Sequence, residues 1–265
     1  MNYHGLFRNE GLPQIRVALV GVGDFGATLL DQARNIEKID ITVICDKDEQ
    51  RMRDAVRDSG MASPPMMVTD ITADGVPEFD VLVEATGQPE AAATIAEWAI
   101  GKGCHVVMAS KEAGIVVGPI LSRMAKQKGV VYTEVEGDQP SLLIGLNSWA
   151  ETLGLEVLAA GKSSEYDFVF DLEADQVSWR GRAEQVQSLS DIWELSGSVE
   201  NTVQRREVAL SAFPKRTVPD LCEMGIVCNH TGLMPAAAAF HAPHARVTEL
   251  CNIFASQEAG GILTT

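Results

Sequence analysis

Three glycines, two lysines, a short acidic run and a few histidines are the residues whose types and spacing could do chemistry. Gly21, Gly23 and Gly26 stand at G-x-G-x-x-G spacing, with Asp24 and Phe25 between the last two. Glycines so spaced turn a strand tightly into a helix, bring backbone close to a pyrophosphate and let helix pack on strand. Unpaired N–H groups and the macrodipole at the helix start favour negative charge there. Asp46 follows Gly26 by twenty residues, where an acid can hydrogen-bond the adenine-ribose hydroxyls. A carboxylate there favours NAD and repels the 2′-phosphate of NADP. Lys47, Arg51 and Arg53 could offset it, so NADP stays open, while Asp48 and Glu49 tilt the choice towards NAD.

Reduction of a carbonyl by a nicotinamide needs a cation or proton donor at oxygen while hydride reaches carbon. Lys111 follows the apolar stretch His105 to Met108, at the carboxyl edge where open α/β sheets bind ligands. A solvated surface is otherwise the fate of most lysines. Lys162 follows the apolar stretch Leu155 to Ala160, which reads as a strand. Facing a cleft, it could polarise a carbonyl, bind a phosphate or protonate an alkoxide, and burial near Lys111 would depress the pKa of one ammonium. Glu134, Glu136 and Asp138 alternate and would share one face if extended. Their oxygens could hold Mg²⁺ or Mn²⁺, although charge runs usually face water or cap a helix. His230 ends an apolar helix and could donate a proton near neutrality or simply stabilise that helix end. His241 and His244 have helical metal-ligand spacing, but Pro243 between them breaks a helix and makes the pair a turn.

The elements that must position these groups alternate. Residues 1–13 are a lead-in. Five of the six residues Ile15 to Val20 are apolar, as in a strand buried on both faces. A helix over 24–35, a strand Ile41 to Cys45, a charged helix Glu49 to Ser59 and a short strand Met66 to Val68 follow. Asp80 to Glu84 is a strand entering the Ala85-Thr86-Gly87 turn, and Pro89 starts an alanine-rich helix ending near Gly101. After His105 to Met108 come a helix Pro119 to Lys128 and a strand Val130 to Glu134. Strands separated by helices indicate βαβ units and a parallel, doubly wound sheet. The pattern changes near residue 140, where Pro140 opens a helix running to about Leu153. Residues 163–216 show weak periodicity, and Val218 to Cys228 is a helix closed by residues 229–232.

The 265 residues fit one large domain or two ordinary ones, and 46% apolar content indicates a globular chain. No apolar run reaches the roughly 18 residues of a membrane span, and the N-terminus lacks a signal-peptide core, so cytoplasm is expected. With 21 bases against 37 acids the net charge is −16, which excludes nucleic acid and anionic membranes as expected partners. The five cysteines are scattered without a C-x-x-C pair and read as reduced thiols.

The segment Gly103-Cys104-His105-Val106-Val107-Met108-Ala109-Ser110-Lys111 resembles the strand and turn of homoserine dehydrogenases that end in a lysine beside the nicotinamide. The glycine fingerprint, Ala85-Thr86-Gly87 and the helix after Lys111 fit the same scheme. The resemblance implies cofactor contacts at Gly21, Gly23, Asp24, Phe25, Gly26, Asp46, Ala85, Thr86, Gly87 and Lys111. From Val135 onward, Gly137-Asp138-Gln139-Pro140-Ser141, Ala159-Ala160-Gly161-Lys162, Asn229-His230-Thr231-Gly232-Leu233 and Glu258-Ala259-Gly260-Gly261 are similar to the deoxyxylulose-phosphate reductoisomerase-like proteins. Those join a homoserine-dehydrogenase-type nucleotide domain to a distinct catalytic domain and a C-terminal SAF-like domain. That resemblance implies Asp138, Lys162 and His230 as catalytic groups in a cleft shared with Lys111. It also implies Glu136 and Asp138 as metal ligands and carbon migration before hydride transfer. Glu136-Gly137-Asp138-Gln139 replaces the glycine-rich segment of homoserine dehydrogenases, which argues against their ordinary chemistry. The chain stops at Thr265, where the family continues, so a shortened member or a fragment is expected.

The expected protein is therefore α/β, with a Rossmann NAD(P)-binding domain over 1–139 and an α+β substrate domain over 140–265. It would act on a small polyhydroxylated carbonyl compound, free or phosphorylated, as a homo-oligomer. Homoserine dehydrogenase, or a non-catalytic dinucleotide-binding sensor or subunit, are the alternatives.

Overall fold

A computed structural model describes residues 11, 13–164, 166–187 and 189–264. Apart from Gly11 and Pro13, the expected lead-in lies outside the described residues. The chain divides into two compact units, one ending at Asp138 and one beginning at Gln139.

The first unit carries six strands, β1 (Ile15–Val20), β2 (Ile39–Cys45), β3 (Met66–Val68), β4 (Val81–Glu84), β5 (His105–Met108) and β6 (Tyr132–Glu134). They form one sheet in the order β3-β2-β1-β4-β5-β6. Every pairing is parallel. The helices α1 (Asp24–Ala33), α2 (Glu49–Ser59), α3 (Pro89–Lys102) and α4 (Lys111–Lys128) connect them. Alternation along β1 shows why both faces are covered. Val17 and Leu19 pack with Leu30 of α1 and Met52 of α2. Ala18 and Val20 pack on the opposite side with Ala96 of α3 and Leu121 of α4. Each fully buried Leu or Ile here contributes roughly 2 kcal/mol. The strand order reverses at β1 and β4, and a ligand crevice opens at the carboxyl ends of strands flanking such a reversal.

One helix runs longer than its sequence suggests. The helix expected from Pro119 begins at Lys111, and Pro119 lies inside it. Ser110 holds the N-cap position in extended conformation but gives its side chain no capping role. Its hydroxyl instead accepts from the Gly87 amide at 2.9 Å.

In the second unit, α5 (Gln139–Thr152) packs against α8 (Val218–Thr231). Thr217 and Asp220 cap α8 reciprocally, and Gly232 closes it in the left-handed conformation. Residues 163–216, unreadable as regular structure, hold an antiparallel sheet of β7 (Val169–Asp171), β8 (Gln176–Trp179) and β9 (Arg182–Gln185). They also hold α6 (Ser190–Trp193) and α7 (Val199–Ala209), and Leu250–Ile253 forms α9. Arg180 and Gly181, both at positive φ, make the tight turn between β8 and β9, as the twist of two-residue hairpins requires. Val177, Leu189, Leu210 and Phe213 form the core beneath the sheet.

The predicted strand Leu155 to Ala160 is a correction. Residues 155–164 have no regular structure, and Leu155 and Leu158 are exposed. The stretch has a strand's composition but no partner strand among the described residues; its backbone runs along a cavity wall.

Arg206 of α7 ties the irregular parts together. Its guanidinium donates to Glu249 at 2.7 and 3.1 Å, to Ile192 O and Trp193 O, and to His244 O at 3.2 Å. Burial would raise the Glu249 pKa, but the bonds from Arg206 and Arg246 outweigh it and hold the carboxyl at about 2.

Candidate functional site

At the carboxyl edge of the first unit's sheet, the three fingerprint glycines take three different environments. Gly21 has φ +92°, and a Cβ there would meet Ala85 O at 2.3 Å. A Cβ on Gly26 would meet Gly21 O at 2.1 Å. Around Gly23 nothing lies within 4 Å. The first glycine thus lets the turn approach the β4 edge, the third lets α1 pack on that turn, and the second faces open space. This is the division of labour by which a pyrophosphate is cradled at a helix start, so these residues fit a dinucleotide. Asp24 begins α1, and Phe25 is exposed.

Asp46 directly follows β2, with its side chain only 11% exposed. One oxygen accepts from Val22 N at 2.8 Å, the other from Asp48 N at 3.0 Å, and Arg51 stands 3.8 Å away. The acid is thereby fixed against the glycine turn. Arg53 is engaged with Glu49 at 3.1 Å.

The Ala85–Gly87 turn is held from both sides. Glu84 is fully buried, and its Oε1 accepts from Thr86 N at 2.8 Å and from the Thr86 hydroxyl at 2.5 Å. Ser110 takes the Gly87 amide. Sequence reading missed both residues; an acid ending an apolar strand and a serine before the lysine were the available signals. Lys111 is the first residue of α4 and pairs with Asp138 at 3.0 Å. A cation at a helix N-terminus opposes the macrodipole, so the position is maintained by its carboxylate partner.

The acidic run does not make the shared face expected of it. Strand β6 ends at Glu134, and Glu136 and Gly137 lie in a turn. Glu134 is 6% exposed, accepts from the Tyr132 hydroxyl at 3.0 Å and occupies space left by Gly114 and Gly118. Burial pushes its carboxyl up to about 7, against the opposing Tyr132 bond. Glu136 is exposed, and Asp138 faces Lys111. Among the described residues no group of three or more His, Cys, Asp or Glu could hold a metal ion. Glu136 and Asp138 thus do not fit the expected Mg²⁺ or Mn²⁺ site: no third ligand joins them among the described residues, and Asp138 is paired with the Lys111 ammonium.

The second unit contains a cavity of about 1180 Å³. Lys162 lines it from the irregular 155–164 segment with its side chain 12% exposed. Its ammonium donates to Asp220 Oδ1 at 2.7 Å and to Glu223 Oε2. These acids stand on successive turns of α8, and Asp220 also accepts from Ser164 at 2.7 Å. Burial would lower the Lys162 pKa; the bonds from Asp220 and Glu223 outweigh it and raise the value. Asp220, which burial would raise, is drawn down to about 2 by Lys162, Ser164 and Thr217. Depression of one ammonium was expected for burial of Lys162 near Lys111; what Lys162 has beside it is two buried carboxylates, and its value goes up. Asp220 and Glu223 escaped sequence reading, though the Thr217-x-x-Asp220 cap marked one of them. His230 lies exposed in the last turn of α8 and is absent from the cavity wall.

Residues 21–134 match the family model of the homoserine dehydrogenase NAD-binding domain, and residues 137–265 match that of the oxidoreductase DRL catalytic domain. The chain joins an NAD-binding domain of the homoserine dehydrogenase type to an oxidoreductase catalytic domain. Among curated proteins none matches the chain significantly. Similar solved structures include a dehydrogenase from Chromobacterium violaceum, 24% identical over 53% of this chain and 41% of its own, with TM-score 0.43. The WlbA dehydrogenase of the same organism, solved with NADH and UDP-GlcNAcA, is 18% identical over 54% of this chain and 41% of its own, with TM-score 0.43. Homoserine dehydrogenase of S. aureus is 21% identical over 46% of this chain and 33% of its own, with TM-score 0.37. The chain spans about two fifths or less of the length of these structures. Among the described residues no helix is long and apolar enough to cross a membrane.

Proposed function

We propose that this oxidoreductase transfers hydride between NAD(P) and a small polyhydroxylated carbonyl compound, free or phosphorylated, and that Lys162 carries the electrostatic work. The observation behind this reading is an ammonium held by Asp220 and Glu223 on the wall of a cavity large enough for a sugar-sized ligand. When bound, the nicotinamide supplies or accepts the hydride. Gly21, Gly23 and Gly26 would carry its pyrophosphate, and the Ala85–Gly87 turn and Lys111 would stand at the nicotinamide end. Asp46, fixed at the end of β2, favours free ribose hydroxyls and hence NAD. Lys162 stays cationic at neutral pH because its two partners outweigh its burial. It has three N–H donors, two given to carboxylates, and a ligand oxygen in the cavity can take the third. Such a cation stabilises the negative charge that grows on a carbonyl oxygen as hydride arrives. Asp220 and Glu223 aim it. Asp138 acts on Lys111, and His230 remains a candidate donor at the end of α8.

The finer form of this reading is a reductoisomerase step, carbon migration preceding hydride transfer. It is supported by the resemblance of Gly137-Asp138-Gln139-Pro140-Ser141 and Asn229-His230-Thr231-Gly232 to the reductoisomerase-like proteins. This reading routes nothing through a metal, because the Glu134 carboxyl is buried, Glu136 is exposed and Asp138 is paired with Lys111.

The test is to assay wild type, Lys162→Arg and Lys162→Met with NADH and NADPH against a panel of ketoses and ketose phosphates, titrating nucleotide by fluorescence in parallel. Loss of about 10²- to 10³-fold in kcat in Lys162→Met, partial recovery in Lys162→Arg and unchanged nucleotide binding are expected. Undiminished turnover in folded Lys162→Met would refute the assignment.

A further inference from the structure

The cavity of the second unit contains a polar side chain that the reading above leaves unused. His244 is 8% exposed and lines the cavity, and neither of its ring nitrogens has a hydrogen-bond partner among the described residues. The residue is held on two sides: Arg206 donates to its carbonyl at 3.2 Å, and the Phe168 ring lies 5.5 Å from the imidazole. Buried polar side chains are almost always paired, and an exception in a cavity wall asks what pairs with it. An imidazole carries at least one N–H donor, and in its neutral form also one acceptor nitrogen. Burial, with the positive charges of Lys215 and Arg206, pushes His244 below the usual histidine range against the pull of Glu207. The ring is therefore neutral in neutral solution and offers one donor and one acceptor. Carboxylates and phosphates only accept, and ammonium groups only donate. Hydroxyl groups do both.

We propose that His244 is a recognition group for the hydroxyls of a polyhydroxylated ligand, its N–H donating to one hydroxyl oxygen and its bare nitrogen accepting a hydroxyl proton. This rests on the substrate reading above and adds the group that reads the polyol part, while Lys162 serves the carbonyl. Both nitrogens are shielded from bulk water. The pairing requires the imidazole, whose backbone carbonyl stays on Arg206, to turn towards the cavity when a ligand enters.

Melting temperatures of the full chain are measured with NADH and increasing xylitol, D-xylulose or D-xylulose 5-phosphate, for wild type, His244→Leu and His244→Gln. Leucine fills similar space without polar atoms, so the ligand-free variant should melt at the wild-type temperature or higher, because no paired group is lost. Its ligand affinity should fall about tenfold, the loss of two hydrogen bonds. His244→Gln keeps a donor and an acceptor and should recover part of the affinity; it carries the test alone if His244→Leu does not fold. Equal affinity in wild type and His244→Leu, whatever the melting temperature, overturns this inference and leaves the substrate reading standing. Binding of none of the three compounds by wild type overturns the substrate reading and the role of His244 together.

Discussion

Replacing Glu134 with glutamine should convert a pH-sensitive nucleotide-binding unit into a pH-indifferent one. The carboxyl sits at the end of β6, under the first turns of α4, in space that Gly114 and Gly118 leave for it. A Cβ on Gly114 would lie 2.8 Å from its Oε2. Burial raises its pKa from 4.5 to about 7, although the Tyr132 hydroxyl bond favours the ionised form and limits the rise. A carboxyl with a raised folded pKa contributes stability that is fully present below its unfolded value and is lost as pH rises through its folded one. Between 4.5 and about 7 each pH unit removes about 1.4 kcal/mol, so the total is roughly 3 kcal/mol. Glutamine keeps the shape and the Tyr132 bond but has no proton to lose. Urea unfolding of both full chains at pH 5 and pH 8, read by hydrogen exchange of the β5 and β6 amides, isolates the effect. The variant should match wild type near pH 5 and exceed it by roughly 3 kcal/mol at pH 8. The same difference between the chains at both pH values would refute the reasoning. The Glu134 carboxyl would then titrate as an ordinary surface acid.

Two further pairs of substitutions separate the other claims. Gly26→Ala should destabilise the unit by about 1–3 kcal/mol or more, since its Cβ would strike Gly21 O. Gly23→Ala, with open space around it, should melt normally yet weaken NADH binding in a fluorescence titration. Equal melting of the two variants would contradict the assigned roles. Arg206→Met should cost about 1–3 kcal/mol, because it leaves Glu249 held by Arg246 alone and strips donors from Ile192 O, Trp193 O and His244 O, whereas Arg206→Met with Glu249→Leu should recover only part of that loss in thermal unfolding. Glu249 sits at about 2 when folded against an ordinary 4.5, so its contribution is present above pH 4.5 and disappears as pH falls towards 2. Acid unfolding of the second unit should begin at higher pH in Arg206→Met.

The nucleotide unit was legible because its information is local. A strand buried on both faces needs a run of apolar residues, a strand-to-helix turn against β4 needs glycine, and each of these is written within a dozen positions. Glu49–Ser59, Met66–Val68 and His105–Met108 fall where the sequence puts them. The start of α4 was missed because Ser110 spends its hydroxyl on Gly87 rather than on a cap, and because Pro119 usually opens a helix instead of lying within one. In the second unit the helices from Pro140 and Val218 were legible in the same way, but residues 163–216 were hidden for a different reason. Strands of three or four residues are too short to display a period of two, and their partners are set by the Arg180–Gly181 turn and by the Phe168, Trp179 and Phe213 cluster.

The acids show the same limit at the level of single groups. Spacing alone made Glu134, Glu136 and Asp138 a triad, but spacing carries meaning only while the backbone stays extended. The strand stops at Glu134, so one carboxyl goes into the core, one to water and one to Lys111. Conversely, Lys162 is separated by 58 and 61 positions from the acids that hold it, a juxtaposition that no local pattern could announce. What the sequence does retain is the cost of such a cluster. An ammonium with its side chain 12% exposed would be untenable alone. Asp220 and Glu223, both buried on an otherwise apolar helix, would be equally so. Buried acids on a helix of that composition imply a buried cation somewhere in the same unit, and the search for it leads to the cavity wall.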